Sequence, residues 1–496
     1  MRVLYLTIFF AISVSLFSCA KEITTNNNNN DDNNPPVTSE VGVYVTNAAR
    51  SLLLKQMPVN FNTKPNMSPN TIVVNPEVKY QQMDGFGAAI TGSSCYNLLK
   101  MTAANRAKLL KETFDTISGN GYSFIRISLG CSDFSMDEYT CCDTKGIENF
   151  ALHAYDKRDL LPVLKEILAI NPKIKILASP WTCPRWMKVN NLTDKQLYNS
   201  WTGGHLNPDY YQDYATYFVK FIQAMKTEGI DIYAVTVQNE PLNAGNSASM
   251  LMYWTEQRDF IKTALGPAFK KNNIQTKIIA FDHNYNYDNI ASEQSYPVNI
   301  YNDSEAAQYI DGAAYHAYGG DKAELLNVHN ARPDKNLYFT EMSIGLWGSG
   351  YKFADDLIWN MREVCLGTIN NWSKAVMVWN FMLDDNHAPY RPGGCNMCLG
   401  AIDINSSDYV TMTKNSHFYT ISHLAKVITP GAYRIGSSGY NPSGLTYSAF
   451  LNPDGSYALV LLNENTNPLN ITISQGVNSF TYSVPAMSVV SYKWKK

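Results

Sequence analysis

A basic surplus is missing from this chain. Forty Lys and Arg stand against 43 Asp and Glu, for a net charge of −3, and only 17% of the residues are charged. A nucleic-acid binder announces itself by a basic stripe or excess, so that class is excluded. Long apolar runs are also scarce. The one stretch near spanning length lies at the extreme N-terminus, which excludes a polytopic membrane protein. Cysteine is sparse, and one CxxC (Cys395, Cys398) with one vicinal pair (Cys141, Cys142) does not make the paired spacing of a zinc site. HExxH, the P-loop and GxSxG are all absent, and the zincin, nucleotide and serine-hydrolase readings lose their main signals. What is present is ordinary globular material, 45% hydrophobic and 12% aromatic, with 32 Tyr and 9 Trp in 496 residues. Such aromatic content suits a protein that handles neutral, hydroxyl-rich ligands. The length implies two to four domains, although one α/β barrel takes up about 250 residues or more.

Arg2 precedes a largely apolar run over 3–17, of signal-peptide length and short for a transmembrane helix. It ends in Leu16-Phe17-Ser18-Cys19, which resembles a bacterial lipobox with Cys19 as the lipidated mature N-terminus. A plain signal peptide with an incidental Cys is the alternative. The Asn, Asp and Pro run over 26–36 cannot bury apolar surface and reads as a tether. The expectation is a lipoprotein signal over 1–19, a disordered tether over 20–40, and contact with the membrane only through the lipid. Ala20 and Glu22 resemble the start of surface lipoproteins of Bacteroides-like bacteria, which implies the outer membrane and its outer face, with the periplasmic face as the alternative. A local Cys395–Cys398 disulfide is compatible with export, the remaining cysteines reading as buried thiols.

Eight short apolar runs, at 84–91, 124–130, 175–181, 234–241, 276–284, 312–318, 337–342 and 375–383, are mostly followed by amphipathic stretches. Tyr211, Tyr214, Phe218, Phe221, Ile222 and Met225 fall at helical spacing, as do sets in 97–118 and 249–265. Fully apolar strands alternating with helices mean a parallel sheet covered on both faces, and eight of them predict a (β/α)8 barrel over 81–429. A doubly wound sheet is the alternative, weakened because chemistry-capable residues end nearly every run. Past Pro430-Gly431 short alternating runs predict an antiparallel β-sandwich over 430–496. These residues are few for a sandwich, so 41–80 is expected to complete it.

Two carboxylates stand out, Glu240 closing the fourth run and Glu341 the seventh. A Glu after a buried strand is costly without a task or partner. These strands face each other across a barrel, so both side chains can enter one pocket. Paired carboxylates serve glycoside hydrolysis, one as acid and the other attacking the anomeric carbon; two strand-end salt bridges are the bland alternative. Asn239 is placed to bond a sugar 2-hydroxyl or to cap a turn. Arg126, inside the apolar second strand, needs a carboxylate such as a barrel-top Glu. Tyr318, after His316, is placed to hold the nucleophile by its hydroxyl, and Trp181 and Trp379 to stack on sugars or to serve as core.

These motifs resemble glycoside hydrolase family 30, the clan A barrels that include glucosylceramidase and microbial β-1,6-glucanases. The resemblance runs from Asp84-Gly-Phe-Gly87 through Phe124-Ile-Arg-Ile-Ser-Leu-Gly-Cys-Ser-Asp-Phe-Ser135, Ala178-Ser-Pro-Trp-Thr-Cys-Pro-Arg-Trp-Met-Lys188 and Val237-Gln-Asn-Glu-Pro241. It continues through His316-Ala-Tyr318, Phe339-Thr-Glu-Met342 and Trp379-Asn-Phe-Met-Leu-Asp384. The resemblance implies Glu240 as general acid/base, Glu341 as nucleophile, and Arg126, Asn239 and Tyr318 as their supports. It further implies Asp133, Trp181 and Trp379 as the lining for the non-reducing-side sugar. Gly92 departs from the glucosylceramidase branch, which has an Asp there, and the loop over 390–398 looks individual.

The expected activity is a retaining hydrolase of an extracellular glucan, an endo-β-1,6-glucanase, needing no cofactor or metal and binding a poly- or oligosaccharide. An exo-β-glucosidase or glucosylceramidase-like enzyme and a β-xylanase-type relative are the enzymatic alternatives. A catalytically dead glycan-binding lipoprotein is the non-enzymatic one, disfavoured by the intact Glu240/Glu341 pair.

Overall fold

The structure is a computed structural model that describes residues 39–64, 68–285 and 290–495. Cys19, the 1–19 signal and nearly all of the 20–40 tether lie outside the described residues.

All eight predicted runs are strands: β1 (Gly85–Ala88), β2 (Phe124–Ser128), β3 (Lys175–Ser179), β4 (Ala234–Thr236), β5 (Lys277–Asn284), β6 (Ile310–His316), β7 (Asn336–Glu341) and β8 (Ser373–Val378). They form one parallel sheet in sequential order, with β8 paired to β1. The ring closes where Ala89 bridges Arg126 and the Ile90 amide donates to the Arg126 carbonyl at 2.8 Å. Closure is tight at Gly87, where a Cβ would lie 1.8 Å from the Phe124 carbonyl oxygen. The barrel lumen is solid. Phe124, Leu177, Ala234, Ile279, Ala314, Tyr338 and Met377 fill it as one buried cluster. Charges seal the N-terminal end, with Lys175 on Asp84 at 2.7 Å and Lys277 on Asp311 at 2.8 Å. Arg126, also on β2, is fully buried.

The periodic set at 211–225 is the helix Tyr211–Thr227, and all six named side chains are buried. The helical spacing over 97–118 is carried by two helices, Gly92–Lys100 and Ala103–Phe114. Met101 is extended, and the Thr102 hydroxyl accepts from the Asn105 amide, so a new N-cap interrupts the periodicity.

The chain ends share a nine-stranded sheet, in the order Lys55–Val59, Val41–Asn47, Ser488–Trp494, Tyr457–Asn463, Leu445–Leu451, Tyr433–Gly439, Thr71–Gln82, Leu469–Gln475, Asn478–Val484. The sheet curls back on itself, and the Asn62 amide reaches the Ser479 carbonyl at 2.7 Å. Its inner face is a second apolar core containing Val43, Ile473, Phe480 and Trp494. Lys55–Val59 and Tyr433–Gly439 are strands that periodicity missed. Lys55–Val59 pairs on one side only and carries Pro58, as suits an edge. Helix Ser416–Ala425 mounts this layer on the barrel, His423 reaching Ser491 Oγ at 2.7 Å and Thr46 Oγ1 at 2.8 Å.

Candidate active site

Above the apolar plug the strand ends converge on Arg126. Its Nη1 donates to Glu341 Oε2, its Nη2 to Asn239 Oδ1 at 2.6 Å and to Asp282 Oδ2 at 2.8 Å, and its Nε to Ser179 Oγ at 3.2 Å. A buried guanidinium is tolerable only with such partners. Glu341 ends β7, and its Oε1 accepts from the Tyr318 hydroxyl at 3.0 Å. Tyr318 lies two residues beyond β6 and is 42% exposed, so a ring at the mouth sends its hydroxyl inward.

Glu240 sits four residues past β4, in a left-handed conformation (φ 44°) that turns its side chain away from the strand direction. Its amide donates to the Asp282 carbonyl at 2.9 Å. Strained backbone of this kind clusters at functional sites. Glu240 Oε1 faces His316 Nδ1 at 3.1 Å, and Oε2 accepts from Asn243 Nδ2 at 2.7 Å. Carboxylate oxygens of Glu240 and Glu341 lie within 4.8 Å of each other, with His316 Nδ1 or Nε2 inside the same radius.

Asp282 is the residue that sequence reasoning missed. It lies on β5, where Phe281 and Asp282 both have positive φ (68° and 76°) and a register shift interrupts the pairing. The irregularity brings a fully buried carboxylate under the site. Besides Arg126, Asp282 accepts from Thr340 Oγ1 at 2.6 Å, Thr236 Oγ1 at 2.7 Å, Ser179 Oγ at 3.1 Å and His316 Nε2 at 3.1 Å. An acid inside the apolar run Lys277–Asn284 was the signal, by the same criterion that singled out Arg126.

His316 has a carboxylate at each ring nitrogen. Burial would lower its pKa, but Glu341, Asp282 and Glu240 override it and raise it to about 9. At neutral pH it is an imidazolium donating from both sides. Burial would raise Glu240; the nearby His283 and His316 hold it down to about 2. Burial wins at Glu341, which is pushed up against the pull of His316 and Arg126. With the imidazolium between two carboxylates, the Glu240–His316–Glu341 group is arranged for proton transfer.

The remaining predicted residues surround this centre. Trp181 and Trp379 are nearly fully buried and stack on each other, centroids 5.3 Å apart at 27°, with Arg126 Cζ 4.9 Å from the Trp181 ring. They pack with Phe134, Ala248 and Leu383. Trp181 Nε1 and Asn380 Nδ2 are buried without a hydrogen-bond partner among the described residues. Asp133 is buried too, and burial followed by the Glu341 and Glu240 charges pushes its carboxyl well up. The backbone around it is fixed by the Arg391 amide, which donates to the Asp133 carbonyl at 2.7 Å. Cys395 and Cys398 form a disulfide in that same loop, while Cys95, Cys131, Cys141, Cys142, Cys183 and Cys365 are buried thiols.

The family model for the glycosyl hydrolase family 30 TIM-barrel domain matches residues 83–428, and that for the family 30 β-sandwich domain matches 431–492. An endo-1,6-β-D-glucanase of Aspergillus fumigatus is 31% identical over 433 residues, covering 83% of this chain and 85% of that protein. Mouse lysosomal acid glucosylceramidase is 29% identical over 454 residues, covering 86% of this chain and 83% of its own. Among solved structures, the endo-β1,6-glucanase BT3312 superposes with a TM-score of 0.90 at 60% identity, covering 92% of this chain and all of that one.

Proposed function

The chain belongs to glycosyl hydrolase family 30, and from that premise we propose that it is a retaining endo-β-1,6-glucanase with Glu341 as nucleophile and Glu240 as general acid/base. The carrying observation is the separation of the two carboxylates, whose oxygens approach within 4.8 Å. Retaining enzymes hold the pair about 5–5.5 Å apart, whereas inverting enzymes leave about 6.5–9.5 Å for a water. Preference for β-1,6-linked glucose is supported by the endo-β1,6-glucanase at 60% identity and the fungal one at 31%.

In the first step a Glu341 oxygen bonds to the anomeric carbon while the glycosidic C–O bond breaks and Glu240 gives its proton to the departing oxygen. Arg126 and Tyr318 hold the attacking carboxylate in place. In the second step Glu240 takes a proton from water, whose oxygen displaces Glu341 from the sugar. Asn239, its carbonyl occupied by Arg126, keeps its NH2 group to donate to the 2-hydroxyl. The Asp133 carboxyl and the unpaired Trp181 Nε1–H serve the other hydroxyls. A buried donor without a partner costs about 1–3 kcal/mol, which a bound hydroxyl recovers.

The test is a time course of the purified enzyme on β-1,6-glucan, with laminarin, xylan and an aryl β-glucoside beside it. Early release of mixed gluco-oligosaccharides from β-1,6-glucan, appearing first as the β-anomer by proton NMR, is the expected result. Glucose as sole product would make it an exo-enzyme, and a first-formed α-anomer would refute retention. We also propose that Cys19 carries a lipid that displays the enzyme on the outer membrane; failure of added protease to shave it from intact cells would refute surface display.

A further inference from the structure

The two sides of the pocket mouth differ. On one side the loops after β2, β4 and β8 are tied together. Glu138 Oε2 accepts from Arg391 Nη2 at 2.5 Å and its Oε1 from the Ser247 hydroxyl at 3.0 Å. Gly393 lies so close to the β4 loop that a Cβ there would sit 3.5 Å from the Gly245 carbonyl oxygen. Asp133 lies within this closed side. The other side, above β6 and β7, is open and apolar. Trp347 is 40% exposed, Leu346 44% and Met397 45%, and Tyr318, at the end of β6, is 42% exposed. A short ribbon builds this ledge: Ile344–Gly345 pairs antiparallel with Cys398–Leu399, and the Leu346 amide donates to the Met397 carbonyl at 2.8 Å. Gly345 is what lets the indole lie down, since a Cβ there would be 2.1 Å from the Trp347 ring. Trp347 is therefore backed by main chain on one side and open on the other, the form of a rigid stacking platform.

We propose that Trp347, with Leu346 and Met397 beside it, is the leaving-group-side platform on which pyranose rings of the glucan chain stack. The occupant follows from position: the ribbon begins three residues after Glu341 at the mouth of the site, and the Glu138–Arg391–Ser247 clasp ties down the loops around Asp133. The chain beyond the cleaved bond leaves across β6 and β7. A flat apolar indole complements the C–H face of a β-linked glucosyl ring, while the chain's hydroxyls stay in water. This inference rests on the glucanase reading.

The experiment compares Trp347→Ala, Trp347→Phe and Gly345→Ala with the unmodified enzyme on two substrates. β-Glucosyl fluoride has a leaving group too small to reach the ledge and reports the sugar pocket and chemistry alone; β-1,6-glucan reports both. For Trp347→Ala and Gly345→Ala, kcat/KM on β-1,6-glucan is expected to fall about tenfold, the worth of one aromatic stack, with hydrolysis of the fluoride within about twofold. Trp347→Phe should recover most of the loss. An equal fall on both substrates would mean a structural role and overturn the platform, as would unchanged kinetics on the glucan. Unchanged glucan kinetics with a lost dimer in sedimentation equilibrium would reassign the patch to a contact between copies. An unmodified enzyme that hydrolyses the fluoride but not β-1,6-glucan would instead sink the substrate reading, and the platform with it.

Discussion

Replacing Asp282 by Asn puts the buried hub to the test. One Asp282 oxygen accepts from Arg126, Thr236 and Ser179, the other from His316 and Thr340. An amide offers one oxygen and one NH2 group, so in either orientation donors face donors. With the NH2 group toward His316, the imidazolium loses the acceptor at Nε2. His316 is raised from 6.5 to about 9, and at about 1.4 kcal/mol per pKa unit this is worth about 3 kcal/mol of folding stability. The sign follows from the folded pKa lying above the unfolded one. The contribution is fully present below pH 6.5 and is lost as pH rises through about 9. Breaking a buried ion pair by removing one partner costs about 3–5 kcal/mol in general, so the variant starts lower. Urea unfolding between about pH 6 and pH 9.5 reads both effects. The gap between the two proteins should be widest at the acid end and should narrow across the window by the Asp282 share of that figure, because Glu341 and Glu240 go on raising His316 in both proteins. Parallel stability curves would refute the argument, because the Asp282–His316 pair would then contribute no proton-linked stability.

Glu341→Gln should abolish turnover of β-1,6-glucan while calorimetry still detects oligosaccharide binding, and a mechanism-based fluorosugar should add its mass at Glu341 in the unmodified enzyme. Tyr318→Phe removes the hydroxyl 3.0 Å from Glu341 and should lower kcat about tenfold with little change in KM, the pattern of a bond that matters in the transition state. Arg391→Ala opens the Glu138 clasp and removes the donor 3.2 Å from the Met136 carbonyl, while the main-chain bond to the Asp133 carbonyl stays; with the loop after Asp133 loosened, KM on gluco-oligosaccharides should rise several-fold with kcat nearly kept, and a drop confined to kcat would contradict it.

Most of the fold was legible because buried parallel strands advertise themselves as unbroken apolar runs, and all eight formed where expected. What was missed has local causes. Met101 ends one helix and Thr102 caps the next within a single periodic stretch, and periodicity does not register a cap. Lys55–Val59 is an edge strand whose polarity hides it. In the site, Glu240, Glu341, Asn239, Arg126 and Tyr318 meet as expected, since strand ends of a barrel must converge. Trp181 and Trp379 also stand there, but stacked on each other and on Arg126, so each is core as well as wall. Asp282 carried the same signal as Arg126, an ion within an apolar run, but its inward aim depends on two residues at positive φ, a backbone choice the sequence does not display. The Arg391–Glu138 and Gly345–Trp347 contacts join segments far apart or specified by shape alone, and no spacing rule reaches them.

The charges of the site bear on how Glu240 becomes an acid. Arg126 and His316 bring two positive charges against three carboxylates, Asp282, Glu240 and Glu341. Glu240 is held to about 2, below Glu341, the reverse of what the first step requires. The reversal has identifiable owners. Burial pushes Glu240 up, and it is kept down by His283, by the His316 bond and by the Asn243 amide. His283 is itself lowered by burial to about 4 and is uncharged at neutral pH, so it no longer holds Glu240 down there. Asn243 bonds Oε2 from the β4 loop. A departing glycosidic oxygen that takes the place of this amide removes a second restraint and leaves His316 alone against burial. The proton is already close, on His316 Nδ1, 3.1 Å from Glu240 Oε1. Its transfer turns an imidazolium–carboxylate pair into a neutral pair and leaves Arg126 as the cation beside Glu341. Positive charge developing at the anomeric carbon then favours Glu341 as the anion. The division of labour between the two carboxylates is thus set when substrate displaces particular donors.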